Sequence, residues 1–313
     1  MRIATLLLFL SLATVTCAAG RVFVTNERSD SVSVIDIETN KVVKTIPVGN
    51  RPRGIGLAPD GSEIYVAVSG DNHIAVIDRE TLEVVRTFPS GDDPETFDVH
   101  NNGNIYISNE EDAKASVYNP KTGELIAEIE VGIEPEGVAI SPDGMRVIIT
   151  SESSNMLHLI DIPGHTIIHN ILVGARPRAA TFSADSKTAY ATSEISGEVK
   201  KIDVASGTII GKVVLSDDKA KPKDILVSRD GNRLFVAGGR ANRVFVLEAQ
   251  SLEIIKAIAV GKRVWSLALS RDGKRLYSTD GVDHQVSVID TDSNSVAATI
   301  PVGKFPWGIA IDD

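Results

Sequence analysis

The chain holds two tryptophans, Trp265 and Trp307, set 42 residues apart. Each directly follows a position that recurs along the sequence, usually as proline, at residues 52, 94, 135, 177, 222, 264 and 306. The residues that follow those positions are Arg53, Glu95, Glu136, Arg178, Lys223, Trp265 and Trp307. If a fold gathers them, they make one ring with an aromatic, an acidic and a basic arc. Such a ring could receive a planar, anionic small molecule. The two indoles would give flat apolar contact, and Arg53, Arg178 and Lys223 would meet its carboxylates or phosphates. The same residues also allow a closed arrangement, with the charges paired across repeats and the tryptophans as a plug. Arg51, Glu134, Arg176, Lys221, Lys262 and Lys304 stand just outside the ring and would extend its charge as a docking face.

A second set of polar residues keeps similar spacing: Glu27, Glu110, Glu152, Glu194 and Asp280, with Asn26 and Asn109. Clustered carboxylates could hold a hard cation such as calcium. Spread over five repeats with basic residues nearby, they are expected instead to bond to loops and to Arg53 or Arg178. No residue is assigned as a metal ligand. The six histidines are His73, His100, His158, His165, His169 and His284. Only His165 and His169 are spaced like a ligand pair, and strand geometry would hold them roughly 13 Å apart on one face. His73 and His284 fall in matching loops on the face of the ring. The sequence contains no Gly-x-Ser-x-Gly, His-Glu-x-x-His, Gly-x-Gly-x-x-Gly or Walker loop, and no pair of cysteines, so no catalytic residue is assigned.

The element that positions the ring is a unit of about 42 residues present seven times. Within the unit beginning at Gly54, four β-branched-rich runs are separated by turn residues. They surround Ile55 and Leu57, then cover 64–68, 74–78 and 84–88, with Pro59-Asp60-Gly61 between the first two. Third-strand ends recur as Asp36, Asp78, Asn119, Asp161, Asp203, Glu248 and Asp290, and are expected to accept backbone N–H bonds in their own turns. These repeats predict an all-β chain, a seven-bladed β-propeller with four antiparallel strands per blade. The N-terminal strand near 21–26 and the C-terminal strand near 308–311 are expected to complete one blade and close the ring.

Residues 1–19 read as a signal peptide, with Arg2 before an apolar run and Cys17-Ala18-Ala19 at its end. Residues 20–313 form the single propeller domain. The apolar run is too short to span a bilayer, so no transmembrane segment is expected. Cys17, the one cysteine, leaves with the leader or, in the alternative, carries a lipid. The expected location is periplasmic or secreted. A net charge of −10 argues against a nucleic-acid partner. The expected state is a monomer.

Phe23-Val24-Thr25-Asn26, Tyr65-Val66-Ala67-Val68, Asp143-Gly144 and the recurrent Val-Gly pairs together resemble the YVTN-type propeller repeat. Arg51-Pro52-Arg53-Gly54, Glu134-Pro135-Glu136-Gly137, Arg176-Pro177-Arg178, Arg263-Val264-Trp265 and Pro306-Trp307-Gly308 look most like the exported propellers found with pyrroloquinoline-quinone-dependent alcohol catabolism. The resemblance implies a non-enzymatic periplasmic binding or accessory role. Pyrroloquinoline quinone (PQQ) or another small anion would be the ligand, or a periplasmic quinoprotein dehydrogenase the partner. A propeller-type lactonase or hydrolase is the first alternative and a structural surface protein the second. The sequence departs from the repeat at Asn101-Asn102-Gly103, Ala184-Asp185-Ser186 and the longer 216–221 loop.

Overall fold

The computed structural model describes residues 20–313. The signal-peptide expectation for 1–19 lies outside the described residues. Seven four-stranded antiparallel sheets follow one another around a ring. We number the blades from the first complete one, I, beginning at Pro52–Leu57. Blades II to VI begin with Pro94–Val99, Pro135–Ile140, Pro177–Phe182, Ile225–Val227 and Val264–Leu269. In each blade the first strand lies innermost and the fourth outermost, so the four runs expected from the repeat are the four strands found.

Blade VII is composite. Its inner strand, Pro306–Asp312, pairs antiparallel with Arg21–Asn26, which leads outward to Ser31–Asp36 and Lys41–Pro47. The ring therefore closes as expected and leaves no open inter-blade edge.

The core lies between blades rather than within them. Second and third strands are buried on both faces, because each blade is covered by a neighbour on either side. Seven apolar clusters occur, one at each blade interface. At the closing interface Phe23, Val32 and Val34 of blade VII meet Ile64, Val66 and Ile77 of blade I. Outer strands alternate towards solvent and carry exposed residues such as Val43, Val85 and Ile210.

The third-strand ends behave as expected. Asp36 accepts from the Thr39 N–H at 2.8 Å, Asp203 from Ser206 at 2.9 Å and Asp290 from Ser293 at 2.7 Å. These bonds hold their carboxyls below the ordinary range. Blade V departs from the others. Its long 216–221 loop leads into an inner strand of only three residues.

Candidate functional site

A local backbone device builds the mouth of the channel. The residue before each proline-type position adopts a left-handed conformation in six blades: Arg51, Asp93, Glu134, Arg176, Arg263 and Phe305, with φ between 50° and 60°. Its carbonyl then accepts an N–H from the residue that ends the blade's second strand or follows it. Glu110 donates to Asp93 at 3.0 Å, Glu152 to Glu134 at 2.8 Å, Glu194 to Arg176 at 2.8 Å and Glu27 to Phe305 at 3.0 Å. The second acidic set is thus pinned beside the first ring.

The next two residues form a bulge. Pairing skips from Pro135 to Val138 in blade III and from Val264 to Leu267 in blade VI. Gly137 N–H, left out of the ladder, donates to Thr150 Oγ1 at 2.8 Å, and that hydroxyl donates across the blade boundary to the Arg178 carbonyl at 3.1 Å. Thr25 takes the Gly308 N–H at 2.8 Å and donates to the Arg53 carbonyl at 2.7 Å. Ser108 reaches the Glu136 carbonyl at 2.5 Å, and Thr279 reaches that of Trp307 at 2.8 Å. The glycines after Glu136 and Trp307 follow from this packing. A Cβ on Gly137 would come within 2.3 Å of the Arg178 carbonyl, and one on Gly308 within 2.3 Å of the Arg53 carbonyl.

Trp265 and Trp307 are stacked, with centroids 5.9 Å apart and planes inclined by 26°. Three cations crowd the Trp265 ring: Lys223 Nζ lies 4.3 Å from its centroid, Arg263 Cζ 4.9 Å and Arg178 Cζ 5.5 Å. Arg53 Cζ stands 5.9 Å from Trp307. Glu136, Arg178, Lys223, Trp265 and Trp307 line a cavity of about 160 Å³, while Arg53 and Glu95 lie outside that lining. The volume suits about one benzene-sized ring, so a larger planar ligand would lie partly across the mouth.

Most of the charge is paired across blade boundaries. Arg178 is almost fully buried and contacts Glu136 at 2.6 Å, Glu194 at 2.8 Å, and Glu152. Burial disfavours its charge, but these three carboxylates outweigh it and raise the guanidinium above its usual range. Lys223 Nζ lies 2.6 Å from Glu194. Burial, joined by Arg178, pulls the Lys223 amine down to about 7, with Glu194 opposing. Burial also pushes Glu194 up, yet Lys223 and Arg178 prevail and hold it at about 2. Burial and Glu136 raise Glu152 to about 8, against the pull of Arg178 and Arg176. Arg53 contacts Glu95, lies 3.1 Å from Glu27 and 3.9 Å from Glu110. Glu27, Glu110, Glu152 and Glu194 of the second set thus meet Arg53 or Arg178, and Asp280 accepts instead from Ser287, Gln285 and the Gly261 N–H. Arg263 has no carboxylate within ion-pair distance among the described residues.

The histidines do not converge. His165 sits in a left-handed turn with Nε2 3.1 Å from Tyr106 Oη, whereas His169 bonds to the Ala205 carbonyl at 3.2 Å. His73 and His284 do not match in register. His73 opens a third strand, while His284 holds the left-handed turn before one and accepts the Phe305 N–H at 3.1 Å. The mismatch arises because both loops contain a His one residue apart in the repeat.

Three features escaped the sequence reading. The hydroxyls Thr25, Ser108, Thr150, Thr192 and Thr279 keep the repeat spacing one residue before the second-strand end, and that spacing was the available signal. Arg263 was read as only the edge of a motif. Asp98 and Asp224 had no signal, since each occurs once. Each reaches into the next blade: Asp98 accepts the Ile140 N–H and Asp224 the Leu267 N–H, both at 2.8 Å. Burial pushes both carboxyls up to about 6 despite these bonds.

Two family models match the chain in part. A YNCE-like β-propeller model covers residues 7–102, and a seven-bladed β-propeller lactonase model covers residues 167–304. Both support a seven-bladed propeller family, and each spans less than half of the chain. No curated protein matches it. Among solved structures, a functionally unknown protein from Desulfotomaculum acetoxidans superposes with a TM-score of 0.82 at 17% identity, covering 93% of this chain and 98% of its own. Kuenenia stuttgartiensis hydrazine synthase gives 0.79 at 21%, over 86% of this chain and 92% of its own. A candidate 6-phosphogluconolactonase from Bacteroides uniformis gives 0.77 at 19%, over 94% and 99%. At such identities the likeness shows the fold alone. No helix among the described residues is long and apolar enough to cross a membrane.

Proposed function

We propose that this chain is an exported, non-enzymatic binding protein that holds a small, flat anion at the channel mouth beside a quinone-dependent oxidation pathway. The observation that carries the reading is the Trp265 indole, stacked on Trp307 and faced by Lys223, Arg263 and Arg178. An aromatic face beside an ion-unpaired guanidinium suits a carboxylate attached to a ring system. PQQ has that chemistry. It exceeds the 160 Å³ cavity, so it would rest on the indoles with its carboxylates towards Arg263. The leader-like residues 1–19 support export to the periplasm, which fractionation of expressing cells would check.

Intrinsic fluorescence tests the site directly, because both tryptophans lie in it. Saturable quenching by PQQ, weakened by Arg263→Ala and by Arg53→Ala, is the expected result. Quenching no greater than the inner-filter control, or unaffected by either variant, removes this reading.

A second reading, lactone hydrolysis, rests on Lys223 and Glu152. Lys223, which lines the cavity, has its amine drawn down to about 7, and Glu152, outside that lining, contacts the cavity-lining Arg178 with its carboxyl raised to about 8. The lactonase family match and the resemblance to the 6-phosphogluconolactonase candidate point the same way. A pH-stat assay with 6-phosphogluconolactone and simple sugar lactones decides it. Turnover above the spontaneous rate that is lost in Lys223→Met supports hydrolysis, and no turnover excludes these substrates.

A further inference from the structure

In blade II, two places round the ring from the blade of Trp307, Asp93, Glu95 and Glu110 bring one carboxylate oxygen each to within 4.8 Å of one another. Glu95 is fully buried, and its Oε2 has no hydrogen-bond donor among the described residues. Asp93 Oδ1 is likewise buried without a donor. A buried carboxylate oxygen with no partner is costly, and it calls for a ligand.

The neighbouring cations do not supply one. Arg53 contacts Glu95 through Oε1 and also serves Glu27 and Glu110, while Arg51 reaches Asp93 at 3.5 Å. Four carboxylates, those of Glu27, Asp93, Glu95 and Glu110, thus share two guanidiniums, leaving two negative charges. Glu136 and Glu134 add to this field, and burial together with their charge raises the Glu110 carboxyl. A divalent cation would cancel the excess. Oxygen-only donors in a cluster of carboxylates favour a hard ion such as Ca²⁺, Mg²⁺ or Mn²⁺ over a thiophilic one.

We propose that Asp93, Glu95 and Glu110 form a divalent-cation site at the rim of the channel, taking Ca²⁺ or an ion of similar hardness. Glu95 approaches from the inner strand, Asp93 from the left-handed turn before it, and Glu110 from the end of the second strand. The Glu110-to-Asp93 backbone bond at 3.0 Å holds the last two together. Its donors lie in blade II and the indoles in blades VI and VII, with Arg53 reaching both Glu95 and the Trp307 ring.

The test is to strip the mature protein with chelator and titrate it with Ca²⁺ by calorimetry and with Tb³⁺ by tryptophan-sensitised luminescence. One equivalent per chain with a dissociation constant below about 1 mM is expected, within the range of carboxylate calcium sites. Asp93→Asn and Glu110→Gln should each weaken binding by about tenfold or more. Both leave Glu95 and Arg53 in place, and circular dichroism checks their folding. Asp36→Asn, a turn carboxylate at the end of a third strand, should change nothing. If binding is undetectable below 1 mM, or survives both blade II variants undiminished, the site does not exist.

Discussion

Trp265 and Trp307, from adjacent blades, lie with ring centroids 5.9 Å apart, but only Trp307 is buried. The pair therefore divides its labour. Trp307→Ala should cost about 3–5 kcal/mol, the range for a buried aromatic truncated to a methyl. Trp265→Ala should cost about 1–2 kcal/mol, because that indole keeps an open face. Chemical denaturation of the two variants measures the difference. Equal large losses would make both residues plugs, and loss of PQQ quenching in a stable Trp265→Ala protein would mark its ring as the contact face.

Arg178 gathers Glu136, Glu152 and Glu194 in an almost fully buried cluster. Arg178→Met should destabilise the protein by about 3–5 kcal/mol at pH 7, the cost of leaving buried charge uncompensated. Without Arg178 the Glu194 carboxyl loses one of the two cations that hold it low, so the loss should shrink in acid as that group takes up a proton. Denaturation of the variant and the wild type at pH 7 and pH 4 gives the comparison, and an equal loss at both would point to packing instead.

Asp98 and Asp224 carry carboxyls raised to about 6, above the ordinary value of 3.8. The folded state thus binds these protons more tightly than the unfolded chain. Their contribution is complete below pH 3.8 and is lost as pH rises through 6. Asn keeps an oxygen for the Ile140 or Leu267 N–H without the charge. Asp98→Asn and Asp224→Asn should each stabilise by about 1–2 kcal/mol at pH 7, with almost no effect near pH 3.5. Melting curves at the two pH values check this.

The hydroxyl of Thr150 serves both the Gly137 N–H and the Arg178 carbonyl. Thr150→Val keeps the shape and removes both bonds, at an expected cost of about 1–3 kcal/mol. Thr150→Ser should recover most of it. Gly137→Ala should be at least as harmful, since its Cβ would meet the Arg178 carbonyl at 2.3 Å. A Gly137→Ala protein that melts like wild type would show that blades III and IV can separate without loss.

The fold was legible because the repeat writes it seven times. Proline-type positions, turn glycines and β-branched runs all agree on four strands per unit, and the pairing of 21–26 with 308–311 was visible as three strands of one unit at one end and the remaining strand at the other. The seven ring residues were also legible, since one spacing selects them. What each does there was harder to read. Whether Arg178 meets solvent or three carboxylates depends on Glu152 and Glu194, which lie in other strands and arrive through the left-handed turns. Arg263 belonged to that turn and not to the ring, so its place against Trp265 is a product of side-chain reach. Asp98 and Asp224 break the repeat, and only packing reveals that they tie neighbouring blades.

Thr25 and Gly308 are joined by a hydrogen bond across a sequence separation of 283 residues. Every other blade of this ring is built from strands adjacent in sequence, but blade VII forms only when the two distant segments meet. Deleting 305–313 should therefore leave an open arc that unfolds non-cooperatively and exposes strand Arg21–Asn26 as an edge. Pairing these two segments costs the chain the entropy of closing one very large loop. Without that pairing the arc is a half-finished clasp whose bare edge can take a matching strand from another copy.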